Sequence, residues 1–358
     1  MDKNIGICSV YFDRGSGVIC KQIKQALQWH VPNCNISILA RMSVADNKKQ
    51  LKFWDDYFHS NILLYPEYQI DDSDFENWIK SNKLEAVIFV EEQHTTNLVG
   101  ICNKLGIKSI NYVVWEFINP ANLQYYQQFT HLIAPTKCTY KLLAEDFLLD
   151  NATFVPWGVD LDTYSWQEPI KKDKPIIFFP AGFGGVNDRK NEKAVIDAFS
   201  YICPRDKALL HIHTQKENQA LRAQNVIKTS GTVDTNQLIN YYKEADLVVL
   251  PSRWEGNGIP QMESLALGRP IIVPDAPPMN ERIIDGETGY LVKVKEFKEI
   301  SGIFVKSAEI DCWDFAEKMI ELSENKEKLY EMQLASRSYA EANLDWKVNS
   351  KNLIDILA

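Results

Sequence analysis

Two glutamates, Glu255 and Glu263, stand with seven residues between them, and Gly256-Asn257-Gly258-Ile259-Pro260 directly follows the first. A carboxylate has two acceptor oxygens and can take both hydroxyls of a vicinal diol, as on a ribose or a hexose. For either glutamate alone, an acid complementing a helix dipole is an equally good reading. The surrounding Gly-Asn-Gly-Ile-Pro, Gly268-Arg269-Pro270 and Gly286-Glu287-Thr288-Gly289 favour the sugar reading. A second group is cationic. Arg189 and Lys190 follow Gly182-Phe183-Gly184-Gly185 and precede an apolar helical stretch at 194–199. Guanidinium and ammonium donors beside the free N–H groups of a helix N-terminus make a phosphate clamp. A lone basic pair is more often a solvated one; the glycines and the downstream glutamates reverse that preference.

The elements that must hold these groups are legible in the apolar pattern. Residues 247–250 are short, apolar and ended by Pro251, the mark of a buried parallel strand. Met262, Leu265, Ala266 and Leu267 recur at helical spacing, Gly268 stops that helix, and 270–273 is the next strand. Residues 175–180 open this half as a strand. In the N-terminal half, 5–10 predicts a strand, 15–17 a glycine turn and 18–29 a helix. Apolar runs at 36–39, 62–65, 86–90, 109–114, 132–134 and 152–155 alternate with helical segments such as 75–81 and 96–105. This alternation predicts α/β parallel sheets.

Further candidates lie at predicted strand ends, where ligands sit in open α/β sheets. Glu91, Glu92 and His94 follow the 86–90 strand and can bind a sugar or move a proton; the competing reading is a capped, solvated loop. Trp115 and Glu116 follow the next strand, where a ring can stack on a pyranose or simply pack in the domain floor. Asp71 to Asp74 and Asp160 to Asp162 have metal-binding composition, but helix capping and turn formation explain them better. His211 and His213 share one face of a strand, which favours a structural role over a metal.

Composition narrows the class. The chain has 358 residues, 45% hydrophobic and 24% charged, enough for two domain cores. A net charge of −9 argues against nucleic acid as the main partner. The seven cysteines are scattered and never spaced C-x-x-C, which fits reduced thiols in the cytoplasm rather than zinc or disulfides. No leader-like or membrane-spanning stretch is expected.

The segment from Glu255 to Ile271 closely resembles the E-x7-E region of retaining GT-B glycosyltransferases of family 4, whose usual text is E-G-F-G-L-P-x-x-E-A-x-A-x-G-x-P-V. Asn257 stands for the common Phe and Ile259 for the common Leu. The resemblance implies two Rossmann-like domains facing each other across a cleft, with a C-terminal helix crossing back. Expected boundaries are 1–161 plus 341–358 for an acceptor-binding domain and 162–340 for a nucleotide-sugar-binding domain. It implies Glu263 on the ribose, and Glu255 with the Asn257, Gly258 and Ile259 backbone on the donor sugar. Arg189 and Lys190 match the cations on the donor diphosphate, while Phe183 stands where an earlier Arg is common. Gly15, Gly17 and Gly184 match glycine loops facing the diphosphate, and Val233 a loop reaching the base through its backbone. Either Glu91 or His94 falls where the family's donor-contacting His is found; Glu92, Trp115 and Glu116 are acceptor candidates.

The implied reaction moves a hexose from a nucleoside-diphosphate sugar, UDP favoured and GDP possible, to a carbohydrate or glycoconjugate hydroxyl, without a metal or other cofactor. A GT-B epimerase or hydrolase and a non-catalytic nucleotide-sugar-binding subunit stay open as alternatives. A NAD-dependent oxidoreductase is disfavoured because G-x-G-x-x-G is missing. The oligomeric state stays open.

Overall fold

The computed structural model describes residues 3–11, 15–42, 61–67, 69–90, 92, 97–202, 206–216, 224–300 and 303–357. It divides into two compact units, residues 1–157 with 347–358, and residues 158–346. Glu91 and His94 lie outside the described residues.

The first unit runs β1 (Asn4–Ser9), α1 (Gly15–His30), β2 (Asn35–Arg41), β3 (Asn61–Tyr65), α2 (Asp72–Ser81), β4 (Ala86–Val90), α3 (Asn97–Leu105), β5 (Lys108–Tyr112), α4 (Leu123–Tyr126), β6 (His131–Ala134), α5 (Lys137–Tyr140) and β7 (Ala152–Phe154). Among the described residues these strands form a parallel sheet ordered β3-β2-β1-β4-β5-β6-β7. β4 is buried along its whole length, which is why its sequence is an unbroken apolar run rather than an alternation. Packing against β1 is close: a Cβ added to Gly6 would stand 2.5 Å from the Trp78 ring of α2. α2 is capped by Asp71, whose carboxylate accepts from the Ser73 amide at 2.8 Å. Asp71 is therefore a helix cap, as its composition suggested.

The second unit runs β8 (Ile176–Gly182), α6 (Glu192–Ile202), β9 (Leu209–Thr214), β10 (Val226–Ser230), α7 (Thr235–Glu244), β11 (Leu247–Val249), α8 (Ile259–Ala266), β12 (Ile271–Pro274) and β13 (Gly289–Val292). These strands are parallel, in the order β10-β9-β8-β11-β12-β13. β8 therefore has β9 on one side and β11 on the other. The crevice beyond the carboxyl ends of β8 and β11 is a topological switch point, where open α/β sheets bind ligands. An antiparallel hairpin follows, β14 (Val294–Ile300) and β15 (Ile303–Ile310), and then α9 (Cys312–Glu324) and α10 (Lys326–Asn343). The chain ends in α11 (Trp346–Asn349) and α12 (Lys351–Leu357), and α12 packs on α1.

Three expectations need correction. The glycine turn at 15–17 is already helix: α1 starts at Gly15, so Gly15 and Gly17 present first-turn N–H groups rather than a loop. The helix expected over 341–358 is interrupted. α10 stops at Leu344, Asp345 pairs with Val159 as an isolated bridge, and Ser350 separates α11 from α12. Glu263 lies beyond the first turn of α8, because Pro260 is accommodated at the second helical position and the helix begins at Ile259. The dipole explanation for Glu263 loses its force accordingly.

Candidate functional site

The loop after β8 carries the cations. Gly182, Gly184 and Gly185 have φ of 52°, 75° and 71°, and Asn187, Asp188 and Asn191 are also left-handed. This backbone folds the loop back on itself, with the Lys190 amide donating to Gly184 O at 3.1 Å. It brings Lys190 and Arg189 onto the loop after β11. The Lys190 ammonium donates to Glu255 Oε1 at 2.5 Å and Arg189 Nη1 to Glu255 Oε2 at 3.2 Å. Glu255 is 4% exposed and Lys190 8%. Burial alone pushes the Glu255 carboxyl up; the Lys190 and Arg189 charges outweigh it and hold the group down at about 2. Glu255 is thus held as a carboxylate by its two cations.

Glu263, on α8, is also buried. Its Oε1 accepts from the Tyr164 hydroxyl at 2.7 Å and its Oε2 from the Tyr242 hydroxyl at 3.0 Å. Burial raises this carboxyl above its ordinary range, and the two hydroxyls, then the Lys190 charge, offset part of the rise. Burial and Glu263 in turn push both phenols well up, so they remain donors. Each carboxylate oxygen keeps a second lone pair for a diol. The loop between the glutamates is fixed by Arg282, which donates to Asn257 O at 2.6 Å and to Asn257 Oδ1 at 2.8 Å. Gly258, with φ 73°, then caps α8; Pro260 has no N–H and the Gln261 and Met262 amides donate to Gly258 O, so the first helical N–H left toward the site is that of Ile259. Val233 lies in the loop between β10 and Asp234, the cap of α7. The structure brings Arg189, Lys190 and Gly184 on the loop after β8 together with Glu255, Asn257 and Gly258 on the loop after β11 and Ile259 and Glu263 on α8.

Candidates in the first unit fare differently. Glu92 is 1% exposed and ion-paired with Arg41 Nε at 2.8 Å, while its backbone carbonyl accepts from the Tyr125 hydroxyl at 2.5 Å. Its side chain is committed to a buried pair. Trp115 begins a short 3-10 turn, Trp115–Phe117, and packs against the core, which favours the packing reading; Glu116 beside it is half-buried. Asp160 accepts from the Asp162 amide at 3.1 Å and the Thr163 hydroxyl at 2.9 Å, a local turn. His211 and His213 both bond Thr229 Oγ1, at 2.9 and 3.0 Å, and pack against Tyr241, which is a structural role. Among the described residues, no group of three or more His, Cys, Asp or Glu converges on a metal position, and no helix is long and apolar enough to cross a membrane.

Sequence reasoning missed Tyr164, Tyr242 and Arg282. None carries a local signal, since each reaches its partner from a distant stretch of chain.

A family model described as "Glycosyl transferases group 1" matches residues 160–338. The chain belongs to this family. It is 34% identical over 160 residues to the lipopolysaccharide core biosynthesis mannosyltransferase of Rhizobium meliloti, a match covering 38% of this chain and 46% of that one. The chain spans less than half the length of the first curated relatives that it matches. Among solved structures it is similar to a glycosyltransferase from Rickettsia africae, with 13% identity, 99% of this chain and 98% of that one covered, and a TM-score of 0.75. It is likewise similar to Anabaena HepE solved with UDP and glucose, with 12% identity, 99% of each chain covered and a TM-score of 0.71. The family's GT-B fold, two Rossmann-like parallel sheets, is therefore the fold of this chain.

Proposed function

We propose that the chain is a retaining glycosyltransferase of family 4. It moves a hexose from a nucleoside-diphosphate sugar, UDP ahead of GDP, to a hydroxyl of a carbohydrate or glycoconjugate acceptor, in the cytoplasm and without a metal. In this reading residues 162–340 form the donor domain, and 1–161 with 341–358 the acceptor domain. Glu263 takes the ribose diol, and Glu255 with the Asn257–Ile259 backbone takes the sugar. Val233 reaches the base, and Gly15, Gly17 and Gly184 approach the diphosphate. Glu91 or His94 meets the reacting sugar and Glu116 belongs to the acceptor side, with Glu92 and Trp115 supporting it from within, Glu92 through its buried pair with Arg41 and Trp115 by packing.

One observation carries the reading: a buried carboxylate–cation cluster on the adjacent loops at a switch point, beside a second buried carboxylate on the helix that follows. As the bond from the anomeric carbon to the diphosphate oxygen breaks, charge gathers on the diphosphate. Arg189 and Lys190 neutralise that charge from fixed positions, so little reorganisation is needed. The relatives' names, a lipopolysaccharide mannosyltransferase and a UDP-binding protein among them, support a nucleotide-sugar donor and a glycoconjugate product.

Thermal shift tests it, with UDP, GDP, ADP and their common sugars, each with EDTA and with magnesium. A ligand at a hundredfold excess over its Kd adds about 2.7 kcal/mol, enough to move Tm by a few degrees. One nucleotide stabilising the fold in EDTA, with the effect lost in Glu263→Ala, is the expected result. No stabilisation by any nucleotide would remove the donor assignment.

A further inference from the structure

Lys216 follows β9, the strand beside β8, and its ammonium lies against the glycine turn that carries Arg189 and Lys190. Its Nζ stands 2.5 Å, and its Cε 3.0 Å, from where a Cβ on Gly184 would be. On the next residue, the Arg189 Nε stands 2.9 Å from where a Cβ on Gly185 would be. Consecutive Cα atoms are about 3.8 Å apart, so the two cations cover one short stretch of backbone. At Gly185 the Arg189 Cβ, 2.7 Å from the same point, also bars a side chain, whereas Lys216 could swing clear of one at Gly184; both glycines have left-handed φ.

The root of Lys216 is fixed. Its amide donates to Thr214 Oγ1 at 3.2 Å, the Thr214 hydroxyl donates to Gly182 O at 3.1 Å, and the Gln215 amide donates to the same carbonyl at 2.8 Å. The end of β9 is thereby stitched to the turn after β8. The head is different: among the described residues Lys216 has no carboxylate partner, whereas Arg189 and Lys190 share Glu255. Two cations against one carboxylate leave a single net positive charge, while a diphosphate carries charge on each phosphate. The exposed side chain of Phe183, in the same turn, adds none.

We propose that Lys216 is a third diphosphate-binding cation of this site, adding to the single net positive charge that Arg189 and Lys190 keep beside Glu255. The proposal rests on the donor-site reading above. Three adjacent parallel strands then each deliver one part: β9 gives Lys216, β8 gives Arg189 and Lys190, and β11 gives Glu255. The chemistry recognised is a diphosphate bridge, whatever base or sugar it joins.

Calorimetric titration of the full chain with UDP, GDP, inorganic pyrophosphate and the matching nucleosides tests it. Lys216→Met is expected to weaken nucleoside diphosphate and pyrophosphate at least about tenfold, the scale of one charge-assisted contact. Nucleoside affinity should stay within about twofold, and Lys216→Arg should restore most of the loss because it keeps the charge. An unchanged Tm in Lys216→Met excludes a folding effect. Diphosphate affinity unchanged in Lys216→Met would overturn the assignment while leaving the donor site intact. Equal losses for nucleoside and diphosphate would overturn it too, since the effect would not be electrostatic. If the unaltered chain bound neither diphosphate nor pyrophosphate, the donor reading itself would fall and Lys216 with it.

Discussion

Glu255 is placed to hold two cations before any ligand arrives, and that has measurable consequences. In Glu255→Gln the buried Lys190 ammonium loses its counter-charge, and breaking such a pair costs about 3–5 kcal/mol. Nucleoside diphosphate should recover part of this, so the variant's Tm should rise more on adding it than the unaltered protein's, while turnover falls by about 100-fold or more. Thermal shift and a steady-state assay check both halves. The pH sign follows from the same contacts. A carboxyl held at about 2 against an ordinary 4.5 contributes stability above the ordinary value, and loses it as pH falls toward 2. Glu263 is shifted the other way and depends on its tyrosines. Tyr164→Phe and Tyr242→Phe each remove a donor that lowers its pKa, so in the double variant the carboxyl should rise further. Nucleotide affinity in that variant should weaken several-fold and weaken more at pH 6 than at pH 8, by calorimetry. The tyrosines show what sequence spacing conceals. Glu255 and Glu263 announce themselves by a motif, but Tyr164 meets Glu263 across 99 positions of chain, and no local pattern encodes that contact.

At the scale of elements, the cation loop has a keeper outside it. Arg253 donates from its backbone to Arg189 O at 2.8 Å, from Nη1 to Asp188 O at 2.9 Å and Oδ2 at 3.2 Å, and from Nε to Glu309 of β15 at 3.0 Å. Asn187, Asp188 and Asn191 are left-handed, a conformation that Asn and Asp enter more readily than other side chains, and Arg253 is one of the groups that hold them so. Arg253→Ala should speed amide exchange across 183–191 and raise donor KM about tenfold with kcat changed less. Unchanged exchange there would show that the loop holds itself. β9 and β10 supply a second case. Burial lowers His211 to about 4, with His213 adding to the effect, and burial lowers His213 as well. A base with a depressed folded pKa binds its proton more readily when unfolded, so stability should fall as pH drops from about 6.5 to 4. For His211 the loss is up to about 3 kcal/mol, and urea melts of His211→Asn should lack that part of the acid dependence. Apolar runs predicted most strands within a residue or two, because buried parallel strands have little choice of composition. The β14–β15 hairpin has no sequence signal, since β14 is exposed and mostly charged and has no period to read. α1 starts earlier than its sequence predicts because Gly15-Ser-Gly17 has turn composition, and propensity yields to the packing of the helix behind it.

On the scale of the whole molecule, two α/β sheets follow from the alternation of β and α in the sequence. The division of the chain rests on fewer residues. Gly158 marks one crossing: a Cβ there would stand 2.3 Å from Leu344 O, so Gly158→Ala must displace backbone and should lower Tm by several degrees in a scanning melt. Next to it, the Val159 amide donates to Leu344 O at 2.9 Å and the Trp346 amide to Val159 O at 3.0 Å. The second unit is therefore one uninterrupted stretch, residues 158–346, whose two ends are hydrogen-bonded to each other, inserted into a first unit made of two pieces. Such an arrangement is a cassette. A gene segment cut at those two junctions should yield a polypeptide that folds with its ends already clasped. On the donor reading proposed above, exchanging it between relatives should carry the choice of nucleotide with it and leave the acceptor behind.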